Sequence, residues 1–105
     1  MLKGVLYQVV EKTEGTARVR LLGDSIVYKS HFPGFPVTPG VTLVQIALEC
    51  MGRSLKGAKD IKFTLPVLPQ AEEIELRWTV SEDGEALVNL FLKDGTPCAK
   101  MTLSV

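Results

Sequence analysis

The sequence predicts an α+β fold in which a curved, mostly antiparallel sheet of about six strands wraps around one long hydrophobic helix. Two observations predict it: the longest apolar run, residues 41–55, has the length of a helix, and short strand-like segments fill most of the remaining chain. The chain has 105 residues and contains no repeat, low-complexity tract or linker. We therefore expect one domain over residues 1–105.

The predicted helix has recognisable boundary signals. Thr38 is the expected N-cap, Pro39 the first helical position, and Gly57 lies just past the end. The helix is apolar on nearly every side, so we expect the rest of the fold to bury it.

The strands are predicted from alternating or β-branched runs and the turns between them. Residues 5–10 and 17–22 form an expected hairpin around the turn-like residues 11–16, and four further strands are expected at 60–65, 74–80, 87–93 and 99–105. Glu-Asp-Gly at 82–84 and Lys-Asp-Gly at 93–95 are typical hairpin turns. One helix cannot cover a whole sheet, so we expect a homodimer or a higher even oligomer.

The composition excludes several classes of function. Twelve basic residues balance twelve acidic ones, which gives no indication of nucleic-acid binding. The apolar run at the N-terminus is too short for a signal peptide or a membrane span, so we expect a cytoplasmic protein with Cys50 and Cys98 reduced and packed. No metal-ligand cluster or phosphate loop is visible, so neither a metal nor a cofactor is expected.

The single histidine opens a conformationally restricted loop. His31 begins the segment His-Phe-Pro-Gly-Phe-Pro-Val-Thr-Pro-Gly, in which three prolines and two glycines fall within ten residues. A lone histidine is more often a structural or surface residue. A loop this restricted, however, can hold an imidazole in place beside a helix terminus, which favours a functional site.

Two segments carry a family resemblance. His-Phe-Pro-Gly-x-Pro-Val-x-Pro-Gly-Val at 31–41 resembles the active-site signature of the bacterial β-hydroxyacyl-acyl carrier protein dehydratases, and Ile-Lys-Phe-x-x-Pro-Val-x-Pro at 61–69 is similar to the strand and turn that follow their helix. The similarity spans roughly residues 24–80 and implies the hot-dog fold. The short chain resembles the accessory members of the family, which are associated with pigment or polyene lipid synthesis.

The resemblance implies loss of water from a 3-hydroxyacyl thioester carried by acyl carrier protein. That reaction needs a base for the proton on carbon 2, donors for the thioester oxygen and an acid for the departing hydroxyl. His31 is the expected base. The amides at the helix N-terminus, above all that of Gly40, are the expected donors. The resemblance also implies a cis His31-Phe32 peptide bond.

The chain departs from the family pattern at the position of the acid for the departing hydroxyl. Fourteen residues after the histidine the family has a glutamate or aspartate, and here that position is Gln45. An amide cannot donate a proton as an acid does, so reduced activity is one expectation. Glu49, one turn further along the same helical face, is a candidate for the missing carboxylate. The alternative is that Glu49 meets solvent or the dimer interface. In the family the helical acid faces the histidine of the other subunit.

Other residues are candidates for substrate and partner binding. Six apolar residues are expected to line an acyl tunnel or, in the alternative interpretation, to belong to the core: Phe32, Phe35, Val41, Leu43, Val44 and Phe63. A basic stretch of Arg53, Lys56, Lys59 and Lys62 could dock an acidic acyl carrier protein, or could be a solvated helix end. Trp78 is expected to be a packing residue.

Three functions therefore stay open. The first is a dehydratase of 3-hydroxyacyl groups on acyl carrier protein. The second is a weakly active or non-catalytic homologue that partners an active dehydratase in a heteromer, and the third is a hot-dog thioesterase. Gln45 counts against both enzyme interpretations, whereas the histidine loop favours dehydration over hydrolysis.

Overall fold

The computed structural model describes residues 2–32 and 34–105. The elements follow one another as β1 (Tyr7–Thr13), β2 (Thr16–Leu21), α1 (Ile26–Ser30), α2 (Gly40–Met51), β3 (Gly57–Phe63), a short 3-10 helix (Pro69–Ala71), β4 (Glu73–Val80), β5 (Glu85–Leu92) and β6 (Pro97–Ser104). Pro33, within the histidine loop, lies outside the described residues.

The six strands form one antiparallel sheet in the order β1-β2-β4-β5-β6-β3. Side chains on its inner face join α2 in one hydrophobic core, among them Val19, Leu76, Val88, Leu90 and Met101. The predicted α+β architecture, a sheet against one long helix, is confirmed. It is the hot-dog fold.

Helix α2 is shorter than predicted and is capped differently. Its N-cap is Pro39, whose carbonyl accepts from the amides of Thr42 and Leu43. The Thr38 hydroxyl is hydrogen-bonded to Tyr28 instead. The helix ends at Met51 because Gly52 adopts the left-handed conformation, with φ 68°, and its N–H bonds back to the helix. The expected end at residue 55, with Gly57 beyond it, is therefore wrong, and Gly57 begins β3.

The expectation that α2 is buried on all sides is also corrected. Its core face carries Leu43, Ile46, Ala47 and Cys50, but Val41 and Gln45 on the opposite side are exposed. One face of the helix is therefore left open by the rest of this chain.

The six predicted strands are present, each within about three residues of its predicted bounds. Strand β1 starts at Tyr7 because Gly4, with φ 85°, turns the chain and donates to the Tyr7 carbonyl. The strand then runs through most of the predicted turn, so that only Glu14 and Gly15 separate β1 from β2. Helix α1, which was not predicted, starts at Ser25, whose hydroxyl accepts from the Val27 amide at 3.2 Å.

Cys50 and Cys98 are free and buried, and Trp78 packs against the core. No helix in the described part of the chain is long and apolar enough to cross a bilayer.

Both thiols are expected to be unreactive in the folded protein. Burial raises the pKa of Cys50 to about 11, so about one molecule in a thousand carries the thiolate at pH 8. Burial also raises the pKa of Cys98. Iodoacetamide labelling followed by mass spectrometry at pH 8 should be at least about tenfold slower in buffer than in urea. Equal rates in the two solvents would contradict the buried placement.

Candidate active site

His31 lies where α1 ends and the loop to α2 begins. Its amide donates to the Val27 carbonyl at 3.0 Å, and its carbonyl accepts from the Val37 amide at 2.8 Å. The His31-Phe32 peptide bond is cis, as the resemblance implies. The backbone of His31 is thus held from both sides while its side chain stays exposed.

The imidazole borders a mostly apolar groove of about 300 Å³, which we call the His31 groove. Helix α1 supplies one wall, and the start of α2 supplies the other. The lining residues are Ile26, Val27, Ser30, His31, Pro39, Val41 and Thr42. A polar side chain at the edge of an apolar cavity is typical of a binding site.

The loop between the two walls is fastened at its base. The Tyr28 hydroxyl and the Thr38 hydroxyl are hydrogen-bonded at 2.7 Å, both residues are buried, and the Thr38 amide donates to the Val67 carbonyl at 2.8 Å. Burial raises the pKa of Tyr28 despite the opposing effect of its bond to Thr38. Tyr28 therefore remains a neutral hydroxyl that ties α1 to the start of α2.

The N-terminus of α2 carries backbone donors next to the same groove. The amides of Gly40 and Val41 donate to no acceptor among the described residues, and the helix dipole places positive potential there. Pro39 and Val41, on either side of Gly40, line the groove with His31. An oxygen that develops negative charge could be stabilised at this point.

The ring of Phe63 packs directly against Gly40. A Cβ atom added at Gly40 would lie 2.6 Å from Phe63 Cε2 and 2.7 Å from its Cζ. Phe63, at the end of β3, thus covers the helix start while remaining 48% exposed.

The predicted substrate-binding residues are only partly brought together. Val41 lines the His31 groove and is 76% exposed, and the Phe32 ring lies 5.1 Å from the imidazole centroid. Phe35, 82% exposed, borders a different surface pocket, which Leu68 also lines. Leu43 and Val44 are buried core residues, as the alternative interpretation has it.

Gln45 is exposed on α2, one turn beyond Val41, and does not itself line the His31 groove. Its Nε2 donates to Glu49 Oε2 at 2.9 Å. Within one chain the imidazole and this amide belong to neighbouring but separate surfaces.

Glu49 accepts four hydrogen bonds. The Leu2 amide donates to Oε2 at 2.9 Å, the Lys3 amide to Oε1 at 3.1 Å and the Tyr7 hydroxyl to Oε1 at 2.8 Å, in addition to the bond from Gln45. Burial by itself would raise the pKa of Glu49, but these hydrogen bonds outweigh it and lower the pKa below its ordinary value. An ionised carboxylate with both oxygens engaged favours a structural role over that of a displaced acid. Within this chain the half-exposed Glu49 contacts the N-terminal turn, Tyr7 and Gln45.

The lowered pKa predicts how stability depends on pH. Because ionised Glu49 is favoured in the folded state, its contribution to the free energy of unfolding is fully present above pH about 4.3. That contribution is lost as pH falls through the lowered pKa of Glu49. In urea unfolding, the Glu49→Gln variant should be less stable than the natural protein at pH 7, and the gap should narrow towards pH 3. A gap that does not change with pH would contradict this assignment.

Comparison with known proteins identifies the family. The sequence model of the ApeI-like family, described as ApeI dehydratase, matches residues 7–102. The chain belongs to the ApeI-like dehydratase family. No curated protein sequence gives a significant match.

Solved structures share the fold of this ApeI-like chain at low sequence identity. The dehydratase heterocomplex ApeI:P from Xenorhabdus doucetiae has a TM-score of 0.72 and 17% identity, over 93% of this chain and 96% of that one. An HP0420 homologue from Helicobacter felis has a TM-score of 0.61 and 11% identity, over 95% and 86%. A hypothetical thioesterase from Streptococcus pneumoniae TIGR4, with coenzyme A, has a TM-score of 0.57 and 14% identity, over 92% and 81%.

The ApeI-like site contains contacts that sequence reasoning missed. The Tyr28–Thr38 bond joins residues ten positions apart, and Ile26 and Thr42 line the His31 groove. Ser25 as an N-cap was the one available signal for α1. In this ApeI-like chain the basic stretch is not one uniform patch: Lys59 is paired with Glu85, and Lys62 lies opposite Lys100 across the β3–β6 pair.

Proposed function

We propose that this ApeI-like chain removes water from a 3-hydroxyacyl group linked as a thioester to acyl carrier protein. The observation that carries the proposal is that His31 and the start of α2 border one apolar groove, next to two amides that donate to no acceptor in the described part of the chain. A base and a donor pair beside an apolar cavity are what elimination next to a thioester carbonyl requires.

Each part of the substrate has a matching surface. The thioester oxygen would receive the amides of Gly40 and Val41, so that the enolate-like charge is stabilised as it develops. The His31 imidazole would take the proton from carbon 2, and the carbon–oxygen bond at carbon 3 would break. The departing oxygen would take a proton from solvent and leave as water, and the imidazolium would return its proton to solvent. The apolar side chains of Ile26, Val27 and Val41 would contact the acyl chain.

A second subunit would complete the site. Val41 and Gln45 lie on the open face of α2, and β3 pairs with β6 on one side only in the described sheet. An exposed apolar residue and an open sheet edge favour association. We propose a homodimer in which this face approaches His31 of the other copy. The basic residues Lys62 and Lys100, adjacent on the outer surface, are suited to an acidic carrier protein.

The experiment is incubation of the purified protein with 3-hydroxyacyl-acyl carrier protein, followed by mass spectrometry of the acyl-phosphopantetheine arm. The proposal expects loss of one water from the arm. Release of the free acid would instead indicate a hot-dog thioesterase.

A weakly active or silent subunit of a heteromer is the second candidate. Gln45 at the acid position supports it, and the Xenorhabdus structure is a dehydratase heterocomplex. If this alternative holds, the protein alone should leave the acyl-phosphopantetheine arm unchanged. Turnover should appear only when an active dehydratase is added, and its rate should exceed that of the added dehydratase by itself.

Substitution of Gly40 tests the donor site. An alanine methyl would displace the Phe63 ring, which is half-exposed and can move, so folding should be retained. Turnover should fall at least about tenfold, because the methyl group and the displaced Phe63 ring would move the thioester away from the Gly40 and Val41 amides. Gly57→Ala is the matched control, since a Cβ at Gly57 meets nothing within 4 Å. Equal turnover of the two variants would contradict this role for Gly40.

A further inference from the structure

We infer that Glu49 is a positioning residue that holds the Gln45 amide with its nitrogen towards α2 and its carbonyl oxygen free to accept a hydrogen bond from the substrate hydroxyl. The inference rests on the proposed substrate, a 3-hydroxyacyl thioester, but does not require that the protein turns it over.

The orientation of the Gln45 amide follows from hydrogen-bond chemistry. An ionised carboxylate only accepts, so the Gln45 atom at 2.9 Å from Glu49 Oε2 must be the NH2 nitrogen. The opposite orientation would bring two acceptor oxygens together. Glu49 therefore selects one of the two amide orientations, and Gln45 Oε1 is the atom left free.

The selecting group is itself fixed. Each oxygen of Glu49 accepts two hydrogen bonds, so its acceptor capacity is filled. Tyr7 is 1% exposed, and the Leu2 carbonyl accepts from the amides of Val5 and Leu6, which closes the N-terminal turn. The N-terminal turn and β1 thus hold the Glu49 carboxylate, and the carboxylate in turn holds Gln45.

The exposed oxygen has a suitable location for a substrate hydroxyl. Gln45 lies one turn beyond Val41 on the exposed face of α2, which in the proposed homodimer approaches the site of the other copy's His31. A carbonyl oxygen accepts the hydroxyl hydrogen and orients the carbon–oxygen bond, but it supplies no proton. In this chain the acid position would therefore recognise the hydroxyl.

The inference is tested by binding without turnover. The probes are two acyl carrier proteins whose arms carry amide analogues of the thioester, one with a 3-hydroxyacyl chain and one with the saturated chain of the same length. The measured quantity is the ratio of their dissociation constants, which reports the hydroxyl contact alone. For the natural protein we expect the 3-hydroxy form to bind roughly three- to tenfold more tightly.

Three variants separate positioning from stability. Gln45→Met keeps the side-chain length but has no amide oxygen, and it should remove the preference. Glu49→Gln frees the Gln45 amide to rotate, and it should lower the preference while leaving the affinity for the saturated form unchanged. Tyr7→Phe removes one hydrogen bond to Oε1 and leaves the Gln45 contact with Oε2, so it should lower the melting temperature but reduce the preference less than Glu49→Gln does.

The outcomes are distinct. Full preference in folded Glu49→Gln, or no preference in the natural protein, overturns the inference. Loss of preference in Tyr7→Phe to the same extent as in Glu49→Gln also overturns it, because general destabilisation would then explain the effect. A natural protein that prefers the 3-hydroxy form but does not release water refutes the proposed function and leaves the inference intact.

Discussion

Replacing His31 with alanine is expected to lower the rate of dehydration by roughly 10² to 10⁴. Among the residues that line the His31 groove, His31 is the one whose side chain can act as a base. Removing the imidazole therefore leaves no group in the groove to take the proton from carbon 2. The measurement is kcat from the time course of the enoyl product by mass spectrometry.

The His31→Ala variant should fold normally. The His31 side chain is exposed, and its backbone hydrogen bonds to Val27 and Val37 do not depend on the imidazole. We expect a change in the free energy of unfolding within about 0.5 kcal/mol. Lys29→Ala, an exposed α1 residue outside the His31 groove, is the matched control and should keep the natural rate. A folded His31→Ala variant with the rate of the control would exclude His31 as the base.

Replacing Gln45 with glutamate is expected to raise the rate, by up to roughly 10² to 10⁴. The new carboxyl would lie where the amide nitrogen now contacts Glu49 Oε2, at 2.9 Å. Two carboxyl groups at this separation cannot both ionise readily, so the pair retains one proton at a pH where an isolated glutamate has lost it. That proton is the one missing from the natural site for the departing hydroxyl.

The Gln45→Glu variant should also show the signature of a shared proton. Because the pKa of the pair is raised in the folded state, its stabilising effect is present at low pH and is lost as pH rises through the raised value. Rate and thermal stability measured from pH 5 to 9 should therefore both decline at the alkaline end. Gln45→Met, with no carboxyl, should gain no activity. A folded Gln45→Glu variant with no gain at any pH would show that this position does not reach the leaving group.

The main elements could be predicted because their signals are local. The apolar run of α2 and the alternation in β4, β5 and β6 lie within single segments, and the two Asp-Gly turns between them stand as expected. The end of α2 was missed because Gly52, not Gly57, takes the left-handed conformation, and both glycines look alike in sequence. Helix α1 has only five residues, too few for a periodic pattern.

The site was less predictable because its deciding contacts are non-local. His31 and Gly40 stand in one continuous motif, which is why the sequence can place both next to the start of α2. The contacts of Glu49 with Leu2 and Tyr7, in contrast, join residues more than forty positions apart, and that of Gly40 with Phe63 joins two separate elements. Spacing along a helix places Glu49 on the same face as the acid position, but it does not show which donors bind its carboxylate.

The most direct test of the proposed function uses a 3-hydroxyacyl-acyl carrier protein deuterated at carbon 2. Mass spectrometry of the arm after incubation with the natural protein should show an enoyl product that has lost the hydroxyl together with one deuterium, and the reaction should be slower than with the undeuterated substrate when proton removal limits the rate. An arm that keeps both its hydroxyl and its deuterium, or a released acid that does so, would contradict dehydration by this chain.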